Sequence, residues 1–121
     1  MSRSLRVYLL HILEETTYLL ETCEGLNKQD VLNNATFQRS FVRSLEVIGE
    51  ATKNLPEDFR QSHPHIPWRR MAGMRDKLIH DYFGVDYDIV WDVVIHQIPE
   101  LHEQIEALIQ KIQINESMNL Y

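Results

Sequence analysis

Residues 74–85 carry the side chains best suited to chemistry, in the order M-R-D-K-L-I-H-D-Y-F-G-V. Arg75 is followed directly by Asp76, His80 lies five positions after the arginine, and Tyr82 lies two positions further on. An arginine guanidinium is a rigid two-pronged clamp for phosphate oxygens. A histidine imidazole carries protons near neutral pH. This spacing therefore predicts a reaction at a phosphate group.

Arg75 and His80 together suit cleavage of RNA without a metal ion. In such a reaction the ribose 2′-OH attacks the adjacent phosphate, a histidine serves as general base or acid, and an arginine stabilises the charge on the phosphorane. The need for a 2′-OH would restrict the activity to RNA. The structural alternative is an ion pair for Arg75 and a helix-end position for His80, where the helix dipole favours a cation.

Helical geometry limits how these side chains can meet. At about 100° per residue, Trp68, Met71, Ile79 and Tyr82 fall within about 40° of Arg75, so the arginine would lie in an apolar stripe. A buried charge without a partner is costly. The stripe therefore requires either a buried acidic partner for the arginine, or a cleft or interface that an anion enters.

His80 lies about 140° from Arg75 on the same wheel. The two groups can act on one phosphate only if the helix ends near His80, or if a second copy of the motif approaches from another chain. Asp76 precedes His80 by four residues, and side chains at this spacing can touch on a helix. Its carboxylate is therefore expected to support the reaction by fixing the tautomer of the imidazole.

The scaffold is predicted to be helical. Apolar residues recur at steps of three and four, the period of helices with one buried face, over about residues 4–24, 35–54, 67–83 and 87–112. Ser4 is the expected N-cap of the first helix and Gly25 its stop. Pro99 should kink or break the last helix. We expect one domain over residues 1–121, an all-α, antiparallel up-and-down bundle of four main helices with a kinked long C-terminal helix.

Three smaller features add to this interpretation. Ile89, Val90, Val93 and Ile95 lie outside the apolar seam of the last helix, which suggests that another subunit covers part of the bundle. The connections before residue 35 and at residues 57–61 each predict a short helical turn. The loop sequence H-P-H at residues 63–65 could supply two metal ligands, but no cysteine or carboxylate cluster accompanies it. We therefore predict no metal site.

Charge and composition narrow the function classes. The formal charge of −6 argues against a general nucleic-acid coat, yet residues 39–77 hold eight basic and five acidic side chains. This region is either scattered surface charge or an anion-binding face, for which the RNA-binding candidates are Arg39, Arg43, Arg69, Arg70 and Lys77. A single cysteine, Cys23, excludes an intrachain disulfide and favours a reducing, cytoplasmic location. No apolar run reaches the roughly 18 residues of a membrane span.

The string R-D-K-L-I-H-D-Y resembles the R-x4-H-x-Y motif of HepT-like toxins, a branch of the HEPN superfamily. Its surroundings agree, with V-I-G-E-A at residues 47–51, I-P-W at residues 66–68 and Y-F-G-V-D-Y directly after the histidine and aspartate. The similarity spans residues 3 to about 112. The resemblance implies an all-helical homodimer in which two copies of the motif meet at the interface.

The resemblance also implies roles for individual residues. Arg75 and His80 would be the catalytic pair, supported by Asp76, of a metal-independent endoribonuclease that cleaves cellular tRNA or mRNA and needs no cofactor. The chain would be the toxin of a type VII-like toxin–antitoxin system. Its partner, an MntA-type minimal nucleotidyltransferase, would inactivate it by transferring AMP from ATP onto Tyr82. The alternative is a non-catalytic HEPN module, a helper subunit of a nucleotidyltransferase, in which Arg75 and His80 only grip a nucleotide or the partner.

Overall fold

The structure, a computed structural model, describes residues 3–78 and 84–119. The fold is all-α, as predicted. Its helices are α1 (Arg3–Cys23), α2 (Lys28–Leu32), α3 (Ala35–Lys53), α4 (Glu57–Gln61), α5 (Trp68–Ala72), α6 (Met74–Leu78), α7 (Tyr87–His96) and α8 (Ile98–Asn119). Within the described residues, no helix is both long enough and apolar enough to cross a membrane.

Helix α1 lies at the centre of the bundle and packs against both α3 and α8. Arg6 near its start pairs with Glu116 near the end of α8, while Thr16 further along contacts His102 near the beginning of α8. The two helices are therefore antiparallel. The core between the three long helices is formed by Leu9, Ile12, Leu19, Phe41, Leu45, Ile48, Leu101, Ile105 and Leu108, all buried. Each contributes roughly 1.5–3 kcal/mol through removal of its side chain from water.

Caps and glycines set the ends of the first helices. The Asn34 side chain accepts hydrogen bonds from the amides of Thr36 and Phe37, which satisfies two free donors at the start of α3. Gly25, with φ of 82°, adopts the left-handed conformation that ends α1. The expectation for Ser4 was wrong, since α1 begins at Arg3 and Ser4 lies inside it. The predicted short turns correspond to α2 and α4.

The predicted third helix is not continuous. Gly73, with φ of −92° and ψ of 5°, separates α5 from α6. A ψ near zero lies outside the α-helical range, so an ideal wheel cannot be carried from Trp68 across this residue. Met74 is buried while Asp76 and Lys77 are exposed, so the inner face of α6 passes through Met74. The argument that placed Arg75 in the middle of one apolar stripe therefore loses its basis.

The predicted break in the last helix is present at Gln97, two residues before Pro99. Proline has no amide proton to donate to the carbonyl four residues earlier, and it disfavours helical backbone at the residue before it. Val90 and Val93 are buried in the core of this chain and so do not support the predicted subunit interface, whereas Ile95 is 37% exposed. The interface itself stays a prediction. Helix α7 packs against both α2 and α8, so more than one of its sides is buried.

Candidate active site

Gly49 of α3 lies against the helix that precedes the motif. A Cβ atom built on Gly49 would lie 3.4 Å from the carbonyl oxygens of both Met71 and Ala72. The missing side chain therefore allows the backbones of α3 and α5 to approach closely. This contact gives the V-I-G-E-A stretch a structural role, since it fixes the chain three residues before Arg75.

The proline-containing loop holds α5 from its other end. The Trp68 indole donates a hydrogen bond from Nε1 to the carbonyl oxygen of His63 at 2.9 Å. The Trp68 ring also lies 6.1 Å, between centroids, from the ring of Phe59 in α4, within the range of favourable aromatic pairs. Trp68, Met71 and Met74 are buried. The backbone that leads into Arg75 is thus anchored by packing on successive turns.

The structure describes only part of the predicted motif. The backbone of Arg75 belongs to α6, where Asp76 follows it as an exposed residue. The side chain of Arg75, and the whole of His80 and Tyr82, lie outside the described residues. The predicted meeting of Arg75 with His80, and the placement of Tyr82, stay predictions.

The helix after the motif is fixed at its start. Asp86 caps α7 by accepting hydrogen bonds from the amides of Asp88 and Ile89. Lys28 of α2 lies 2.6 Å from the Asp88 carboxylate, and this hydrogen bond raises the pKa of the exposed Lys28 ammonium. Helix α6 also contacts α7. The motif therefore begins in α6, whose first residue, Met74, is buried in the core, and it is followed by α7, whose start is capped.

The predicted RNA-binding cations are all exposed, on α3, α5 or α6: Arg39, Arg43, Arg69, Arg70 and Lys77. Arg43 lies 3.7 Å from the carboxylate of Glu46. Among the residues that the structure describes, no carboxylate lies within ion-pair distance of the other four. Three of the five, Arg69, Arg70 and Lys77, lie on the short helices α5 and α6. These three cations are therefore available to an anionic ligand.

A cleft lies beside the motif, between α5–α6 and the junction of α7 with α8; we call it the motif cleft. Its volume is about 240 Å³. Buried Met71 and Met74 form its floor, and Arg70, His96 and Gln97 are among the residues at its edge. Motif analysis missed His96 and Gln97, since neither belongs to a recognisable pattern. The sequence did hold one signal for these two residues, namely Pro99, because it marked the helix break beside which His96 and Gln97 lie.

A second cleft, of about 470 Å³, lies on another side of α5 and is lined by residues including Arg60, Trp68 and Arg69. The Nε atom of Arg60 is buried and has no hydrogen-bond partner among the described residues. Arg69 and Arg70, adjacent in sequence, thus line separate clefts. The two arginines therefore have different surroundings and are open to separate tests.

His63 and His65 are placed close together, with ring centroids 6.4 Å apart. Nδ1 of His63 lies 3.0 Å from the carbonyl oxygen of Phe59, within hydrogen-bond distance. Within residues 3–78 and 84–119, no group of three or more histidine, cysteine, aspartate or glutamate side chains could hold a metal ion. The structure thus gives His63 a role in fastening the loop to α4.

Comparison with known families decides the relationship of the chain. Residues 12–108 match the family described as "Ribonuclease HepT-like". The chain belongs to the HepT-like ribonuclease family. The matched range includes Arg75, Asp76, His80 and Tyr82, so this HepT-like protein contains the complete motif within its family region.

Three relatives of this HepT-like protein have names that refer to ribonuclease activity. A protein of Caldanaerobacter subterraneus subsp. tengcongensis, named "Putative RNase", is 51% identical over 88% of this chain and 95% of its own length. The "Probable ribonuclease HepT" of Thermococcus cleftensis is 46% identical over 89% and 98%. A "Putative RNase" of Methanocaldococcus jannaschii is 43% identical over 92% of each chain. No solved structure matches the chain significantly.

Proposed function

We propose that this HepT-like protein is a metal-independent endoribonuclease and the toxin of a type VII-like toxin–antitoxin system, acting on tRNA or mRNA in the cytoplasm. The observation that carries the proposal is the complete R-D-K-L-I-H-D-Y string inside the family match. Its support in the structure comes from the residues on either side of that string: Met74 before it is buried, and α7 after it has a capped start. A catalytic group must be held within a fraction of an ångström of its working position.

In the proposed reaction the ribose 2′-oxygen forms a bond to the adjacent phosphorus, and the bond from phosphorus to the 5′-oxygen breaks. His80 takes the proton from the 2′-OH as general base, Asp76 orients its imidazole, and Arg75 stabilises the charge on the phosphorane. The leaving 5′-oxygen takes a proton from solvent or from a second motif. The products are a 2′,3′-cyclic phosphate and a 5′-hydroxyl.

Incubation of the purified protein with RNA in EDTA tests this activity. We expect cleavage with 2′,3′-cyclic phosphate ends, and His80→Ala should lower the rate by about 10²–10⁴-fold through loss of the general base. His11→Ala is the matched control, because His11 is an exposed histidine on α1. Cleavage by His80→Ala at the rate of the unchanged protein would overturn the assignment. Cleavage that EDTA abolishes and Mg²⁺ restores would overturn metal independence.

We propose further that the chain forms a homodimer whose two motifs meet at the interface, as the family resemblance implies. The angle of about 140° between Arg75 and His80 on an ideal helix fits this arrangement or a helix that ends near His80. Light scattering should show the mass of two chains. Equal mixtures of the inactive Arg75→Ala and His80→Ala proteins, unfolded and refolded together, should regain cleavage if each site takes one residue from each copy. A monomer that is fully active would contradict the dimer.

Regulation is proposed to act through Tyr82. An MntA-type nucleotidyltransferase would transfer AMP from ATP, with the tyrosine oxygen bonding to the α-phosphorus and pyrophosphate leaving. The added negative charge close to Arg75 in sequence would repel RNA. Mass spectrometry after incubation with such an enzyme and ATP should place the adenylate on Tyr82, and Tyr82→Phe should block it while Tyr87→Phe does not. Binding to the nucleotidyltransferase without RNA cleavage under any condition would instead favour a non-catalytic helper subunit.

A further inference from the structure

The motif cleft lies next to the motif, where part of a nucleotide could enter. Met74 beneath it is joined by a peptide bond to Arg75, so their Cα atoms are about 3.8 Å apart. Its volume of about 240 Å³ lies below the roughly 300–1,000 Å³ of pockets that enclose drug-sized ligands, so it suits a base edge and a phosphate rather than a fully enclosed nucleotide. The layer beneath it is apolar and buried, with Met71 0% and Met74 4% exposed.

One wall of the cleft exists because the C-terminal helix is broken. Gln97 lies at the break, and its backbone amide donates to the carbonyl oxygen of Val93 at 2.9 Å. Within the described part of the chain, its side-chain amide makes no hydrogen bond. By contrast, the side chain of Gln104 donates to the carbonyl oxygen of His65 at 3.4 Å. Gln97 is therefore the amide in this cleft that is free to donate to, and accept from, a base edge.

The edge of the cleft separates groups that attract phosphate from one that repels it. Arg70 is exposed, and no carboxylate of the described residues pairs with it. His65 and His96 also line the cleft. Among the described residues of the lining, Glu100 is the one that is acidic; its carboxylate repels phosphate but accepts hydrogen bonds from the N–H groups of a base. A phosphate is therefore expected beside Arg70, and a base edge beside Glu100 and Gln97.

We propose that the motif cleft is a nucleotide subsite that holds an unpaired ribonucleotide next to the scissile phosphate, with its base edge at Gln97 and Glu100 and its phosphate at Arg70. The subsite deepens, and as part of an RNA substrate rests on, the proposed ribonuclease function. Transfer from a 2′-oxygen requires that oxygen, the phosphorus and the leaving oxygen to lie in line, and gripping the neighbouring nucleotide supplies this orientation. Glu100 accepts hydrogen bonds from amino groups and from the N3–H of uracil, and Gln97 both donates and accepts, so the edge of each of the four bases has partners in the subsite.

Binding of mononucleotides tests the subsite separately from cleavage, because a mononucleotide has no internucleotide bond to cut. We would titrate the full chain with AMP, CMP, GMP, UMP and inorganic phosphate, and follow the methionine methyl groups by NMR. All four nucleotides should shift the signals of Met71 and Met74, which lie beneath the cleft, and should bind more tightly than inorganic phosphate. Arg70→Ala should weaken their binding by about tenfold or more, the worth of one charge-assisted hydrogen bond. Arg69→Ala, which changes the arginine of the other cleft, should not.

A map of cleavage sites supplies the second readout. Gln97→Ala and Glu100→Gln should change the distribution of bases beside the cut and weaken RNA binding by about two- to tenfold each, the worth of one hydrogen bond. Gln110→Ala, at an exposed glutamine of α8, should leave the distribution unchanged. These substitutions lie on the surface, and circular dichroism checks that the variants fold.

The outcomes separate the two proposals. Cleavage with an unaltered base distribution in Gln97→Ala and Glu100→Gln, and no methionine shift with any nucleotide, overturns the subsite while the ribonuclease stands. Equal shifts with inorganic phosphate and with nucleotides also overturn it, because the base would then contribute nothing. Nucleotide binding at Met71 and Met74 by a chain that never cleaves RNA overturns the ribonuclease and supports a nucleotide-binding cleft.

Discussion

Gly49 shows how one residue fixes the position of the motif. Gly49→Ala should be tolerated, since its Cβ would meet the two α5 carbonyl oxygens at 3.4 Å and alanine favours helix by up to about 1 kcal/mol over glycine. Gly49→Val places two more carbons in the same contact and should lower the free energy of unfolding by about 1–3 kcal/mol. Urea denaturation measures both. A valine variant as stable as the unchanged chain would show that α5 does not depend on this contact.

Cys23 gives a second test at single-residue scale. Partial burial at the end of α1 raises the pKa of its thiol. The thiolate is the form that reacts, so at about pH 8 less thiolate is present in the folded chain than in the unfolded one. Alkylation by iodoacetamide should be slower in buffer than in urea, and the difference should shrink as the pH rises through the folded pKa. Equal rates at the lower pH would contradict the effect of burial.

Between elements, a buried hydroxyl links α1 to α8. Oγ1 of Thr16 lies 3.0 Å from the Leu13 carbonyl oxygen and 3.0 Å from Nδ1 of His102. Thr17 also bonds to the Leu13 carbonyl, at 2.7 Å, but makes no contact with α8 among its described hydrogen bonds. Thr16→Val should therefore lower the free energy of unfolding by about 1–2 kcal/mol more than Thr17→Val does. Thermal unfolding measures the difference. Equal losses of stability in the two variants would show that the contact between Thr16 and His102 does not stabilise the fold.

Elements whose boundary signals lay in the local sequence were predicted well, and those set by tertiary contact were not. Helix α3 follows from its apolar period, and the break in the last helix follows from Pro99. The break at Gly73 did not follow, because glycine within a helical pattern is often tolerated. Burial of Val90 and Val93 was misread as a subunit surface, since a wheel cannot show how many neighbours a helix has.

The same distinction holds for the site at the scale of the whole molecule. The motif is contiguous in sequence, so its chemistry could be inferred from residue types and spacing. The motif cleft draws His65, Arg70, Met74 and His96 from separate segments, and their meeting depends on how α5 packs on α3 and how α6 contacts α7. No local pattern carries that information. The predicted roles of His80 and Tyr82 rest on sequence and family alone.

The uneven distribution of charge predicts how RNA binding responds to salt. Each phosphate contact should contribute about 0.7 to the slope of log K against log salt for a single strand. Arg69→Ala should reduce that slope by about 0.7. Lys53→Ala is the control, since the Lys53 ammonium already has a carboxylate partner, 3.8 Å away in Glu50. Fluorescence anisotropy across a salt series measures both, and indistinguishable slopes would exclude Arg69 from phosphate contact.

The position of α1 between α3 and α8 also has a kinetic consequence. Thr16 and His102 are 86 residues apart in sequence, whereas α3 follows α1 after a short connection. Closing the longer loop costs more chain entropy, so we expect α1 and α3 to pair in the folding transition state before α8 docks. In stopped-flow measurements, Leu45→Ala should slow folding, while Thr16→Val should mainly speed unfolding. Slower folding of Thr16→Val would show that α8 is already packed in the folding transition state. If only unfolding is faster, α8 docks last, and the side of the motif cleft that α8 provides forms last with it.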